Sequence, residues 1–279
     1  MAVPHFDPTR VAQLIRDVAA AEITPRFRAL ASHEIREKKP GDFVTIADES
    51  AERALIPALE AILPGSVAIG EEAIAADPKL LDHLEHADRP VWLIDPVDGT
   101  VNFAHGRPLF AVMVALVVGG RSIAGWIHDP LTGALAMAEE GAGAWDGSTR
   151  LKVAEADAPE RMHGQILSRP FSLEGQATLR ANGVVFHRDP EGLRCAGQEY
   201  FRLVRAQWHF TAYGRLRPWD HAPGLLIHAE AGGFSGYVFD RTAYHVARGE
   251  GPVLTAPNAD SWDALRDYLR RYVKEGAAL

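Results

Sequence analysis

Val91-Trp92-Leu93-Ile94-Asp95-Pro96-Val97-Asp98-Gly99-Thr100-Val101-Asn102-Phe103 decides how the rest of the chain is read. Its four leading residues are apolar, long enough for a buried strand and too short for a helix. Asp95 and Asp98 follow three apart, with Pro96 fixing φ between them and Gly99-Thr100 directly behind. This predicts a rigid turn at a strand end, from which both carboxylates converge on one point. Two hard oxygen donors held that way suit Mg2+ or Mn2+. If a helical turn begins at Gly99-Thr100, its free amides face the same point and could hold a phosphate. The same stretch also reads as an ordinary β-turn, with Pro at the second position and Gly at the end. The remainder of the chain has to separate the two readings.

Composition sets the outer bounds. The chain has 279 residues, 47% hydrophobic and 24% charged, as expected of one large or two ordinary globular domains with a sizeable core. A formal charge of -8 argues against a nucleic-acid polymer or an anionic membrane surface as partner. It does not exclude phosphate substrates, because bound metal ions can invert the local charge. The single cysteine, Cys195, rules out an internal disulfide and a cysteine-rich zinc site, and fits a reducing compartment. No basic-then-apolar leader opens the chain, and the longest apolar run, Leu109 to Val118, falls short of about 18 residues. A soluble, cytoplasmic protein is expected.

Working outward, Asp7-Pro8 caps a helix carrying Val11, Leu14, Ile15 and Val18, which continues toward Phe27 and bends or breaks at Pro25. Lys38 to Asp42 reads as a turn, and a helix is predicted from Asp48 to Leu63. Val67-Ala68-Ile69 is a short strand ending at Gly70-Glu71-Glu72. Asp77 to Ala87 reads as a helix whose His83 and His86 belong to a solvated face rather than a metal pair. Beyond the central motif, Phe110 to Val118 and Ile123 to His128 form a hairpin about Gly119-Gly120, and Ala134 to Ala138 adds a third strand. Helices at Cys195 to Trp208, Trp219 to Glu230 and Asp260 to Tyr272, with strands at Val184 to Phe186, Phe234 to Phe239 and Val253-Leu254, suggest a smaller second unit. Residues 1–150 would then form an α+β part with an antiparallel sheet, and 151–279 an α/β part.

Three more acids stand at the ends of elements: Asp48, Glu71 and Asp220. Singly, Asp48 and Asp220 read as N-caps and Glu71 as a solvated loop residue. Jointly, Gly70-Glu71-Glu72, the central motif and Trp219-Asp220-His221-Ala222-Pro223-Gly224 resemble the signatures of the inositol monophosphatase family. Asp42-Phe43-Val44-Thr45-Ile46-Ala47-Asp48 resembles its upstream motif, and Glu230-Ala231-Gly232-Gly233 its last glycine turn. The family comprises magnesium-dependent, lithium-sensitive phosphomonoesterases.

The resemblance implies a layered αβαβα sandwich, the sugar-phosphatase fold, and two or three Mg2+ ions, with Mn2+ as a substitute. Glu71, Asp95 and the Val97 carbonyl would bind the first ion. Asp95, Asp98 and Asp220 would bind the second, and Glu71 with Asp48 a third. Gly99 and Thr100 would hold the phosphate, while Thr100 and Glu71 position the attacking water. The resemblance further implies a homodimer and a small phosphorylated metabolite as substrate. Without cations, carboxylates gathered in this way would repel a phosphate dianion. No Ser or Cys nucleophile stands out, which favours direct attack by water.

Departures from the family pattern concern specificity. Inositol-specific members carry an acid shortly before the Trp-Asp pair, whereas no acid lies between Glu199 and Asp220 here. The chain offers Tyr213, Arg215 and Arg217 instead, and Gly197-Gln198-Glu199 stands where the family has glycine-threonine-alanine. Gly197, Gln198, Tyr213, Arg215 and Arg217 are therefore the candidate substrate-binding residues. Lys38 and Lys39 do not fall at the family's usual lysine offset, and the sequence does not choose between them. Histidinol phosphate, fructose 1,6-bisphosphate or a 3′-phosphorylated nucleotide are alternative substrates. A metal-binding regulatory protein without turnover is the non-enzyme alternative.

Overall fold

The computed structural model describes residues 6–84, 89–166, 170–214, 216–249 and 251–274. The Asp7 carboxylate accepts from Thr9 N at 2.9 Å and starts α1 (Pro8–Val18). Where the periodicity predicts one helix toward Phe27, the chain loosens into a π-turn at Ala19–Ile23 and tightens into a 3-10 turn at Thr24–Arg26. Pro25, which lacks an N–H to continue the ladder, sits in that last turn. A hairpin absent from the sequence reading follows, β1 (Ile35–Lys39) and β2 (Asp42–Thr45), turning at Pro40-Gly41. Thr45 then caps α2 (Ile46–Ile62), so Asp48 lies in the first turn rather than at the cap. Next come β3 (Val67–Gly70) and α3 (Glu71–Ala76). A 3-10 turn at Pro78–Leu84 replaces the predicted helix; His83 lies on it, and His86 is outside the described residues.

The central motif becomes β4 (Val91–Asp98), buried at all eight positions, and then α4 (Thr100–Ala104). β5 (Ala111–Val118), β6 (Arg121–His128), β7 (Leu135–Glu139), β8 (Gly143–Asp146) and β9 (Thr149–Arg150) extend the sheet. Its order is β3-β4-β5-β6-β7-β8-β9, antiparallel throughout except for the β3–β4 pair. Gly119 and Gly120 both have positive φ, +56° and +72°, as a two-residue hairpin of matching twist requires.

Both faces of this sheet are covered, which is why β5 is apolar throughout rather than alternating. Val112, Val114 and Leu116 pack with Val11, Ile15, Leu55 and Leu59 of α1 and α2. Ala111 and Met113 point the other way, to α6 (Ala196–Val204) and α7 (Pro218–Glu230). Those two helices also meet a second sheet. It contains β10 (Gly164–Ile166), β11 (Val184–Phe186), β12 (Phe210–Tyr213), β13 (Phe234–Tyr237) and β14 (Val253–Ala256), in the order β11-β10-β12-β14-β13. Its outer face packs on α5 (Leu173–Ala181) and α8 (Ala259–Arg270) through Leu179, Trp262, Leu265 and Leu269. The result is the layered αβαβα sandwich. No helix among the described residues is long and apolar enough to cross a membrane.

Candidate active site

The predicted turn at Asp95–Asp98 is a bulge inside a strand. Asp95 pairs with Met113 and Asp98 with Ala111, so three steps along β4 match two along β5. In a regular strand, side chains three apart point to opposite faces. The extra residue resets the alternation and lets both aspartates serve one side of the sheet end. Asp95 Oδ1 accepts from Val97 N at 3.0 Å, which fixes the carboxylate against the bulge. Gly99 follows in the left-handed region at φ +84°, where a Cβ would stand 2.8 Å from Leu109 O. It turns the chain into α4.

The other acids arrive on separate elements. Glu71 is the first residue of α3, and Asp220 lies in the first turn of α7. α7 approaches the sheet closely because Gly125 on β6 has no side chain: a Cβ there would lie 2.8 Å from Pro223 Cα. Carboxylate oxygens of Glu71, Asp95 and Asp220 lie within 4.8 Å of one another. Asp220 Oδ1 is buried without a protein partner. Asp98 stands beside them, its Oδ2 accepting from Gly197 N at 2.6 Å and from the Cys195 thiol at 3.0 Å. Asp48 works on both sides. Its Oδ2 accepts from Thr45 N and Thr45 Oγ1, closing a capping box, and its Oδ1 lies 3.1 Å from Thr100 Oγ1. The Thr100 hydroxyl also reaches the Val97 carbonyl at 2.9 Å.

Electrostatics follow from this crowding. Burial, then the charges of Glu71, Asp98, Asp220 and Asp48, pushes the Asp95 carboxyl well above the usual range. Asp220 is pushed up by burial, then by Asp98 and Glu71. Burial raises Asp48 to about 7. Burial raises Glu71 too, although Lys38 and Arg217 oppose it. Lys38 Nζ is 3.7 Å and Arg217 Nη1 3.1 Å from Glu71 Oε1. Lys38 is thus the lysine that reaches the site, while Lys39 is exposed. All-oxygen donors, mutual repulsion and an orphaned Asp220 oxygen fit hard divalent cations.

A cavity of about 180 Å3 opens on Glu71, Asp95, Asp98, Gly99, Thr100 and Asp220, with Arg217 on its wall. The remaining candidates lie elsewhere. Gly197 serves as an amide donor to Asp98, and its Cβ position is filled by Ala111. The Gln198 side chain donates to Phe110 O and Asp129, turned toward the strand ends. Tyr213 is fully buried against His221 and Tyr200 in the middle layer, so it belongs to the core and not to the cavity wall. Arg215 lies outside the described residues.

Three contributors were missed. Asp42 and Arg194 line the cavity. Glu52 accepts from the amides of Glu72 and Ala73 at 2.9 Å each, anchoring the start of α3 on which Glu71 sits. Its spacing of four from Asp48 on one helix face was the available signal.

A sandwich whose sheet end is bulged to gather acids defines a class, the phosphatases that work through oxygen-bound metal ions. The profile of the inositol monophosphatase family matches residues 8–266, and the chain belongs to that family. It is 33% identical to the Nus factor SuhB of Escherichia coli over 258 residues, 85% of this chain and 89% of the relative. It is 34% identical over 199 residues to the fructose-1,6-bisphosphatase/inositol-1-monophosphatase of Thermotoga maritima, covering 71% and 73% of the two chains. A solved Thermotoga maritima IMPase superposes with a TM-score of 0.74 at 25% identity, over 93% of this chain and 96% of that one. The protein is therefore an enzyme of the phosphatase class.

Proposed function

We propose that the chain is a Mg2+-dependent phosphomonoesterase that hydrolyses a small phosphorylated metabolite by direct attack of water. The supporting observation is the convergence of Glu71, Asp95 and Asp220 oxygens within 4.8 Å. Glu71, Asp95 and the Val97 carbonyl would hold one ion, and Asp95, Asp98 and Asp220 a second. Asp48 and Glu71 would share a third, and Mn2+ could replace Mg2+. Bound there, the ions would polarise phosphoryl oxygens, acidify water and neutralise the leaving alkoxide.

The protein's own groups do the rest. The amides of Gly99 and Thr100 would receive the phosphate, aimed by the left-handed turn at Gly99. Thr100 Oγ1, tethered between Val97 O and Asp48, would orient the water together with Glu71. Cys195 is no nucleophile in this reading: it is buried, and burial first, then Asp98, drives its thiol well above the usual range. A cytoplasmic homodimer without nucleic-acid or membrane partners belongs to the same proposal, and sedimentation of the purified chain tests the dimer.

Phosphate release from a set of metabolite monoesters, measured with EDTA and then with Mg2+, tests the central reading. Turnover should vanish in the chelator and return with Mg2+, while Ca2+ should compete without supporting it well. Undiminished turnover in EDTA would overturn the proposal.

A further inference from the structure

The carboxylate cavity is adjoined by a larger one of about 410 Å3, and Asp42, Glu71 and Arg217 line both. Lys38 and Asp82 also line the larger cavity, so its charged groups stand together against an otherwise apolar lining. Ile74, Leu84, Leu216, Trp219 and Val246, all buried, form the wall of the second cavity, with Leu81 partly buried at its side. This wall is the edge of the apolar cluster beneath β3 and β4. Trp219 is nine-tenths buried, and its Nε1 has no partner in the protein. That nitrogen has no accessible surface, so what Trp219 offers the cavity is its apolar ring.

A polyhydroxylated ring suits such a wall poorly. Each hydroxyl would leave water without gaining a partner from leucine, isoleucine or valine. A flat apolar ring would bury its faces against this wall. The volume lies in the range of pockets that enclose small organic ligands, about 300–1,000 Å3.

Resting on the phosphatase reading, we propose that the alcohol half of the substrate is a largely apolar, ring-sized body. It lodges in the second cavity while the phosphate lies over Asp95 and Gly99-Thr100. Arg217 is the threshold between the two compartments, with its guanidinium 3.1 Å from Glu71 and 5.9 Å from the Trp219 ring centre.

The test compares three esters in Mg2+: ethyl phosphate, an inositol monophosphate, and a quinolinylethyl phosphate. The first and third have leaving alcohols of similar acidity and differ by the ring. The ring ester should show kcat/KM at least about tenfold above both others, the scale set by burying one apolar group. Ala75 and Ala247 are exposed residues lining this cavity. Ala75→Trp and Ala247→Trp should fill it, return the ring ester to the ethyl value and leave ethyl phosphate turnover unchanged. Calorimetry with quinolinylethanol and chelator-treated protein gives a second readout: binding to wild type and none to Ala75→Trp. Equal kcat/KM for the ring and ethyl esters, or a preference that survives both tryptophans, would overturn the inference. Turnover of none of the three, with the alcohol still bound in a tryptophan-sensitive way, would instead retain the apolar compartment and overturn the phosphatase reading.

Discussion

The floor of the carboxylate cavity and the start of α3 both bury acids, but they answer the charge differently. Glu52 receives two backbone N–H groups at 2.9 Å, which oppose the rise that burial produces without cancelling it. Beyond burial, Asp95 is raised by Glu71, Asp98, Asp220 and Asp48, and Asp220 by Asp98 and Glu71. Acids satisfied by amides hold architecture together. Acids buried against like charge destabilise the protein until cations arrive, and that arrangement persists where function requires it.

Asp220→Asn is the strongest way to break the contrast. It keeps the size of the side chain and removes a charge, so kcat should fall on the order of 10²-fold or more, as for loss of one preorganised electrostatic group. Thermal stability in EDTA should hold or rise as repulsion falls. Wild-type turnover in that variant would reduce Asp220 to a first-turn residue of α7. Asp95→Asn should behave alike.

His228 separates burial from charge crowding. It is fully buried with neither ring nitrogen partnered, and burial alone lowers it to about 4. The unfolded chain therefore binds more protons between pH 6.5 and 4. Stability from the neutral ring is complete above about 6.5 and is lost as pH falls toward 4, by about 3 kcal/mol at the limit. His228→Leu should flatten that part of the melting-temperature curve; parallel curves would refute the assignment.

Glu52→Gln comes next. One of the two amides would face an NH2 instead of an oxygen, at a cost of about 1–3 kcal/mol in chemical denaturation. Its kcat should suffer far less than that of Asp220→Asn, and the reverse ranking would erase the distinction between the two regions.

Arg217→Ala should do least. Arg217 and Lys38 neutralise Glu71 in competition with a metal ion. With Arg217 32% exposed, solvent screens the pair to about 1 kcal/mol, so half-activation by Mg2+ should need about two- to fivefold less ion. An increase in the Mg2+ requirement would show that Arg217 supports the metal site instead.

The parts legible in the sequence are those where one physical signal dominates. Val91 to Ile94, Phe110 to Val118 and the Gly119-Gly120 turn carry an unbroken apolar run or paired glycines, and they became β4, β5 and their hairpin. β1 was missed because Ile-Arg-Glu-Lys-Lys shows no apolar alternation and is largely exposed. β10 is three residues long, too short for periodicity to register, and α5 buries only Gly175 and Leu179, too few to mark an apolar face. Within the site, Asp95, Asp98 and Asp220 were visible as acids at element ends. Tyr213 misled because its nearness to Asp220 in sequence hid that Phe210-Thr211-Ala212-Tyr213 is a buried strand. Arg217, a candidate substrate-binding residue from the sequence, faces Glu71 and Asp42 in the fold.

The bulge in β4 has a mechanical consequence. Asp95 and Asp98 are joined by a short covalent span that pairs at both ends with β5, and Glu71 follows β3 with its helix start bound to Glu52, whereas Asp220 rides on α7, which meets the sheet by side-chain packing. Sliding of α7 over the sheet would alter the reach from Asp220 to Asp95 and leave the Asp95–Asp98 spacing untouched. The strand would then serve as a fixed jaw and α7 as the adjustable one.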